Sequence, residues 1–585
     1  MIPVRARGLL REFAEAGVLG PADIHVALRL ARLGQESSET VLLAAALVVR
    51  GVRTGSVCVD LATVVESVVV DDAEVAVDGA EPVELAWPNN WNTLADSPIV
   101  AVGTEAPWRP MRLVDGLLYL DRYWQQEQLV RRELDERAAR AAPSVDLSGL
   151  ATLFPDGGPD RQRLAVAVAA GRWVSVITGG PGTGKTHTVA RLLSVLLAQP
   201  GPPPRIALAA PTGKAAARLQ ESVQVQAGAL GLPVDLTAST LHRLLGWRPG
   251  SRSRFRHDAG NRLPFDVVVV DESSMVSLTL MARLLEALRP TARLVLVGDP
   301  DQLTPVDAGA VLSDLVQRPA SAEVRDVVTE GVDTADLDTA ERAQLRNGVV
   351  RLRVSHRYGD QIGALADSVR TGDADAAVAL LGGGGVLTLE SGTDALREEV
   401  RRTGAEMAAA ARAGDGARSL ALLGAHRLLC AHRAGPFGAA WWNEQCGRWS
   451  GAGGGFWYPG QPLLVTANDY ENGLNNGDAG VVIDTSDGLQ AVFPRGGGVE
   501  RVALSRLSSV VTAHALTVHR SQGSQYEAVT LVLPPPSSPL LTRELFYTAI
   551  TRAAERVRVV GTEESVRAAV ARQLVRASGL RRVLS

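Results

Sequence analysis

The spacing of apolar positions changes character at about residue 146. Before that point, PADIHVALRLARL (21–33) and ETVLLAAALVVRGV (39–52) place apolar side chains at helical spacing, and the short extended stretch SVCVDL (56–61) follows. Beyond it, Val/Ile/Leu runs alternate with helical patterns: WVSVIT (173–178), RIALAAPT (205–212), FDVVVVDE (265–272) and ARLVLVGD (292–299). Continuous apolar runs ending in Gly, Asp or Thr suit buried parallel strands. Their C-terminal ends are where an open α/β sheet places its ligand. A second region of the same texture begins at about 346, interrupted from about 450 to 512 by glycine-rich turns (GAGGG, ENGLNNGDAG, PRGGG). Short strands between such turns predict a small β-barrel inserted into that region. The expected organisation is a mainly helical domain at 1–145, an α/β domain at 146–345 and a second at 346–585.

Composition narrows the classes. The 585 residues allow three or four domains at ~150 residues each. With 46% hydrophobic and 21% charged residues the chain reads as globular. A net charge of −4 provides no global basic field, so a nucleic acid has to be gripped in a local channel. Three dispersed cysteines, Cys58, Cys430 and Cys446, exclude a disulfide framework or a Cys-rich metal site. The longest apolar run, VLLAAALVV at 41–49, is too short for a bilayer span and no signal segment opens the sequence, so a soluble cytoplasmic protein is expected. Four of the ten tryptophans, Trp87, Trp91, Trp108 and Trp124, fall in the motif-free first region. Large aromatics there serve core or interdomain packing, or a docking face for another protein.

Chemistry begins at WVSVITGGPGTGKTHTVARLL. Gly179, Gly180, Pro181, Gly182, Thr183, Gly184, Lys185 and Thr186 form a G-x-x-x-x-G-K-T loop between a strand and an amphipathic helix. Glycines let backbone N–H groups wrap phosphates, Lys185 reaches the β- and γ-phosphates of ATP, and the Thr186 hydroxyl binds Mg²⁺. Asp271 and Glu272 end a run of four valines, where an acidic residue is costly unless it serves a cation. Asp271 fits as the second Mg²⁺ partner and Glu272 as the group that orients and deprotonates the attacking water. Gln302, after a further strand, can sense the γ-phosphate without adding charge. Arg357 (VSHRYGDQ) and Arg552 (ELFYTAITRA) stand in polar settings suited to the charge of a phosphoryl-transfer transition state.

Together these stretches resemble a superfamily 1 helicase, over about 440 residues from Gln162 onward and in that family's motif order. Within it the sequence is most similar to the RecD family, the alpha subunits of RecBCD helicase–nucleases. The phrases that carry the likeness are APTGKAAARL, TLHRLLG, VVVVDESSM, VGDPDQLTPVDAG, LLCAHRAGPFG, GLNNGDAGVV, ALTVHRSQGSQYE and LLTRELFYTAITRA. The resemblance implies two RecA-like domains with ATP between them and an SH3-like barrel as the insertion. It implies an adenine-reading role for Gln162, γ-phosphate sensing for Gln302 and Arg357, an arginine finger in Arg552, and a place near the nucleotide sugar for Glu527. It further implies 5′→3′ polarity, single-stranded and duplex-end DNA as partners, and RecB-like and RecC-like subunits.

Lys185 and Lys214 are the only lysines in the sequence. In APTGKAAARL, Thr212 and Lys214 enter a helix and resemble the family's DNA-contacting motif, across the sheet from the ATP phosphates. A compact ammonium supplies a point charge where a planar guanidinium need not fit. Thr240, His242, Thr517 and His519 are similar candidates for strand contact, since small hydroxyl and imidazole donors bind phosphates without reading sequence. Each histidine is equally a packed, hydrogen-bonded interior residue; for Lys214 the alternative is a solvated lysine on a helix's first turn, which the scarcity of lysine elsewhere disfavours. With both lysines committed, a lysine-dependent nuclease site is not expected in this chain. The short first region favours a RecBCD-type subunit over the longer stand-alone RecD-like helicases. A structural subunit whose ATP site gates assembly is the reading from another class.

Overall fold

The computed structural model describes residues 2–68, 85–155, 160–248, 254–319, 332–355, 357–451, 455–469, 471–495 and 498–582. Two large parallel sheets dominate the mixed α/β architecture. The first has six strands; in spatial order they are Val349–Leu352, Val174–Gly179, Arg293–Gly298, Val267–Val270, Ile206–Ala210 and Ala238–Thr240. Its central strands are buried on both faces, which the continuous valine runs already required. The edge strand Val349–Leu352 pairs in parallel with Val174–Gly179, so this sheet continues past the expected boundary at 345. The sequence between, 332–348, returns through the helix Thr339–Arg346 to reach that edge.

The second sheet orders its five strands as Leu387–Glu390, Ala553–Val560, Tyr526–Val532, His426–Cys430 and Ala515–Thr517. Between His426–Cys430 and Ala515–Thr517 the chain builds a separate five-stranded antiparallel sheet from Pro462 to Thr512. Its own small core centres on Leu463, Val482, Ala491 and Phe493.

The first region is mainly helical, with Pro21–Gly34 packed against Glu39–Arg53. It also carries a four-stranded sheet that includes Met111–Val114 and Leu117–Leu120. Trp124 is buried there and Trp87 packs edge-on against Phe13, whereas Trp108 is 73% exposed. All three cysteines are buried and unpaired. No helix among the described residues is long and apolar enough to cross a membrane.

Residues 576–582 run back from the second large sheet and are stitched to the first region. The Ala577 carbonyl accepts from Val57 N (2.9 Å), and Gly579 N donates to Glu127 Oε2 (2.9 Å). Arg581 pairs with Asp314 on the first large sheet's layer, and Arg582 with Asp60. Burial pushes the Glu127 carboxyl above its ordinary range, and the Gly579 amide, Arg131 and Tyr119 pull the other way.

Within the first region, Arg112 and Asp121 form an ion pair at 2.7 Å with both side chains 2% exposed. The guanidinium also donates to the carbonyls of Gly103, Thr104 and Ala106 and lies over the Trp124 ring. Removing one partner of such a pair strands the other charge. Arg112→Met is expected to destabilise this region by about 3–5 kcal/mol, read locally as faster hydrogen exchange in Met111–Val114 and Leu117–Leu120; unchanged protection would refute it.

Candidate nucleotide site and the cleft between the sheets

Strand Val174–Gly179 delivers the glycine loop, and Gly184 (φ +81°) caps the helix Lys185–Leu197 that follows. Val189, Leu192, Leu193 and Leu196 bury that helix against the sheet, fixing its N-terminus at the strand end. Gly182 (φ +83°) has no room for a Cβ, because Arg357 and Ser355 occupy that space. Lys185 Nζ donates to the carbonyls of Gly179 (2.7 Å) and Gly180 (2.9 Å). Burial lowers the pKa of its ammonium, although Asp299, Glu272 and Asp271 act to raise it. Thr183 Oγ1 donates to the Gly180 carbonyl, and Thr186 lies in the first helical turn beside Lys185.

Asp271 follows strand Val267–Val270 directly, and its Oδ1 accepts from Glu272 N at 2.8 Å. Burial and the neighbouring Glu272 push the Asp271 carboxyl up to about 6. Glu272 holds φ +49°, a left-handed conformation that non-glycine residues avoid and that concentrates at functional sites. Gln162 is fixed by its own helix start, where Asp160 Oδ1 accepts from the amides of Gln162 and Arg163. Its side chain reaches the loop, donating to the Thr183 carbonyl (3.4 Å) and accepting from Arg191 (3.0 Å).

The second sheet closes this cradle. Arg552, 3% exposed, donates to Gln302 Oε1 at 2.9 Å; Gln302 Nε2 donates to Asp299 Oδ2, which also accepts from Tyr547 OH at 3.2 Å. Thr548 Oγ1 accepts from Leu303 N, and Gln522 Nε2 donates to the Leu303 carbonyl. Burial, Arg218 and Arg552 hold the Arg357 guanidinium down to about 10. The cleft thus assembles Gln162, Lys185, Asp271, Glu272, Gln302, Arg357 and Arg552.

Glu527 is not brought into this set. It lines a cavity of about 620 Å³ on the second sheet's layer together with Glu399, Arg402, His426 and Arg556. Two positions earlier, Gln525 does face the first sheet, accepting from Arg218 at 3.0 Å. Sequence reasoning missed Tyr547, Ser524, Gln525 and Arg218, although all lie inside the quoted motif phrases. One available signal was spacing: Arg218 is one helical turn from Lys214, and Tyr547 is five residues before Arg552.

The strand-contact candidates fall into two groups. Strand ends Ala210 and Thr240 are in register, so Thr212, Lys214, Thr240 and His242 share one edge of the first sheet. Both hydroxyls there cap helices, Thr212 accepting from Ala215 N and Thr240 from Arg243 N, each at 3.2 Å. His242 stands against Phe255 with ring centroids 5.8 Å apart, and burial lowers its pKa. Thr517 and His519 leave the edge strand of the second sheet, and burial lowers the His519 pKa. Lys214 is not a solvated lysine: its Nζ donates to Ser524 Oγ at 2.7 Å, across the cleft.

Known proteins align with this arrangement. An AAA domain model matches residues 162–308, a UvrD-like helicase C-terminal domain model 512–560, and the model of the RecBCD enzyme subunit RecD N-terminal domain 15–119. The RecBCD enzyme subunit RecD of Mycolicibacterium smegmatis is 50% identical over 596 residues, covering 98% of this chain and 99% of its own. The ATP-dependent RecD2 DNA helicase of Deinococcus radiodurans is 32% identical, covering 82% of this chain and 59% of its own. A solved Bacteroides Pif1 bound to ssDNA covers 69% of this chain and 93% of its own at 15% identity, with a TM-score of 0.39. A glycine-loop cradle faced by a UvrD-like helicase C-terminal segment defines a helicase-class ATPase. The chain belongs to the RecD family of RecBCD enzyme subunits.

A raised carboxyl pKa is a stability statement. Folding raises the Asp271 pKa from 3.8 to about 6, so its ionised form opposes folding above that range and the opposition vanishes as pH falls through it. Asp271→Asn is expected to raise the melting temperature at pH 7.5 by about 2–4 °C or more. The gain should shrink between pH 6 and 4; a lower melting temperature at pH 7.5 would contradict this account.

Proposed function

We propose that this chain is an ATP-dependent 5′→3′ DNA helicase and translocase subunit of a RecBCD-type helicase–nuclease. It acts on double-strand DNA ends in recombination and repair, in the cytoplasm, with RecB-like and RecC-like partner subunits. The observation that carries the reading is Arg552, which reaches from the second sheet to Gln302 of the first beside the glycine loop. An arginine from one domain meeting a polar sensor of the other at a phosphate loop lets nucleotide state and domain closure control each other.

Residues 1–145 then serve as the partner-docking domain, and the two large sheets as RecA-like motor domains. The antiparallel insertion is read as SH3-like. In the loop, backbone N–H groups and Lys185 hold the phosphates of ATP, and Gln162 reads the adenine. Thr186 and Asp271 would hold Mg²⁺, for which a hydroxyl and a carboxylate are suitable hard oxygen donors. The metal would neutralise charge on the transferred phosphoryl group. Glu272, fixed by its strained backbone, orients and deprotonates water, and Arg357 and Arg552 stabilise the charge that develops. Thr212, Lys214, Thr240, His242, Thr517 and His519 line the path of a single strand. Nothing in this set provides for cutting DNA, which is assigned to a partner.

A stand-alone helicase and an ATP-gated structural subunit are the competing readings. Co-purification with candidate partners, followed by strand displacement on substrates with either overhang, separates them. Displacement only from 5′ overhangs by the assembled complex is the expected result, and unwinding from 3′ overhangs alone would overturn it.

Lys185→Ala and Glu272→Gln should each lower DNA-stimulated ATP hydrolysis by roughly 10³-fold or more, about 4 kcal/mol of barrier, with the fold kept as read by circular dichroism. Near-normal turnover in either would sink the assignment. Lys214→Ala should weaken single-stranded DNA binding and reduce its salt slope by about 0.7, the contribution of one phosphate contact. An unchanged slope would remove Lys214 from the strand path.

A further inference from the structure

Lys214 and Arg218 lie one turn apart on the helix Gly213–Leu230, and between them they grip three consecutive residues of the second sheet's layer. Lys214 Nζ donates to Ser524 Oγ (2.7 Å), while Arg218 donates to the Gly523 carbonyl (3.1 Å) and to Gln525 Oε1 (3.0 Å). The gripped segment is a tight turn. Gly523 has φ +71°, Ser524 N donates to the Ser521 carbonyl, and Ser524 is 5% exposed.

The same segment holds Arg552 from both sides. The Ser524 carbonyl accepts from Arg552 NH1 at 3.5 Å, and Tyr526 N donates to the Arg552 carbonyl at 3.0 Å. Arg552 in turn donates to Gln302 Oε1. A continuous chain of hydrogen bonds therefore links Lys214 on the first sheet's rim to Gln302 inside the cleft, passing through Ser524.

Among the described residues Lys214 makes no ion pair; the acceptor of its proton is a neutral hydroxyl. A phosphate oxygen carries negative charge and so attracts an ammonium more strongly than a neutral hydroxyl does. A strand phosphate that draws the Lys214 ammonium out of reach of Ser524 would make the two alternative partners of one cation. Such exclusive partners are what a two-state coupling requires.

We propose that Ser524 is a positioning residue through which Lys214 holds Arg552 on Gln302 in the strand-free chain, and that a strand phosphate taking Lys214 frees Arg552 for the nucleotide. Ser524 touches neither substrate; it acts through Arg552. The proposal rests on the helicase reading above and adds how strand occupancy reaches the hydrolysis site.

The test is ATP hydrolysis by the full chain with and without oligothymidylate, in wild type, Ser524→Ala, Ser524→Thr and Lys214→Ala, together with oligothymidylate binding. Ser524→Ala is expected to raise the strand-free kcat about fivefold while leaving the strand-saturated kcat in place, so the stimulation ratio falls about fivefold, at the low end of allosteric couplings. It should also bind oligothymidylate more tightly, because linkage is reciprocal. Ser524→Thr, which keeps the hydroxyl, should restore the wild-type ratio. Lys214→Ala should raise the strand-free rate as Ser524→Ala does, yet bind the strand more weakly. A wild-type ratio in Ser524→Ala, or a parallel fall of both rates, overturns the proposal. A wild-type chain indifferent to oligothymidylate overturns the helicase reading itself and the relay with it, a failure visible before any variant is compared.

Discussion

Charge crowded into a poorly solvated cleft is the constraint on which the rest of the structure turns. Burial drives the pKa of Lys185, Arg357 and Arg552 down and those of Asp271 and Asp299 up, so both signs are pushed toward neutrality at once. Such groups stay together only because the surroundings over-determine their positions. The buried helix behind the loop, the left-handed Glu272, the hydrogen bond Tyr547 donates to Asp299 and the one Thr548 accepts from Leu303 N all contribute to that. In the reading proposed above, the set serves a ligand that brings both signs, a polyphosphate with its divalent cation. Stability is given up at this site for chemistry.

Much of the first sheet was legible because its strands announce themselves. Four apolar runs that end in Gly, Asp or Thr became four neighbouring parallel strands, and the glycine loop sits where the run before it ends. The edge strand Val349–Leu352 was misplaced because an apolar run carries no mark of which sheet it joins. Periodicity also undercounts the first region, where one short extended stretch turned out to belong to a four-stranded sheet.

The candidate site was legible residue by residue but not as a set of contacts. Arg552 and Gln302 are 250 positions apart, Lys214 and Ser524 310, and no local pattern encodes such pairings. Glu527 shows the cost of a small error of place: the residue that meets the first sheet is Gln525, in the turn just before strand Tyr526–Val532, while Glu527 lies within that strand and lines the cavity. Thr212 and Thr240 show that one hydroxyl can carry two meanings, since a helix cap and a phosphate contact ask for the same residue type at the same place.

The stitching of residues 576–582 onto the first region has a consequence for biosynthesis. Glu127 is buried against Gly579 and Ser578, which follow it by about 450 residues. At ~5–20 residues per second, the ribosome supplies those partners on the order of 20 to 90 seconds after Glu127 itself. Until then the helix Asp121–Ala139 carries a carboxylate whose final partners do not yet exist. That helix thus emerges well before the segment that completes its packing, a vectorial lag during which the surface around Glu127 lacks its final cover.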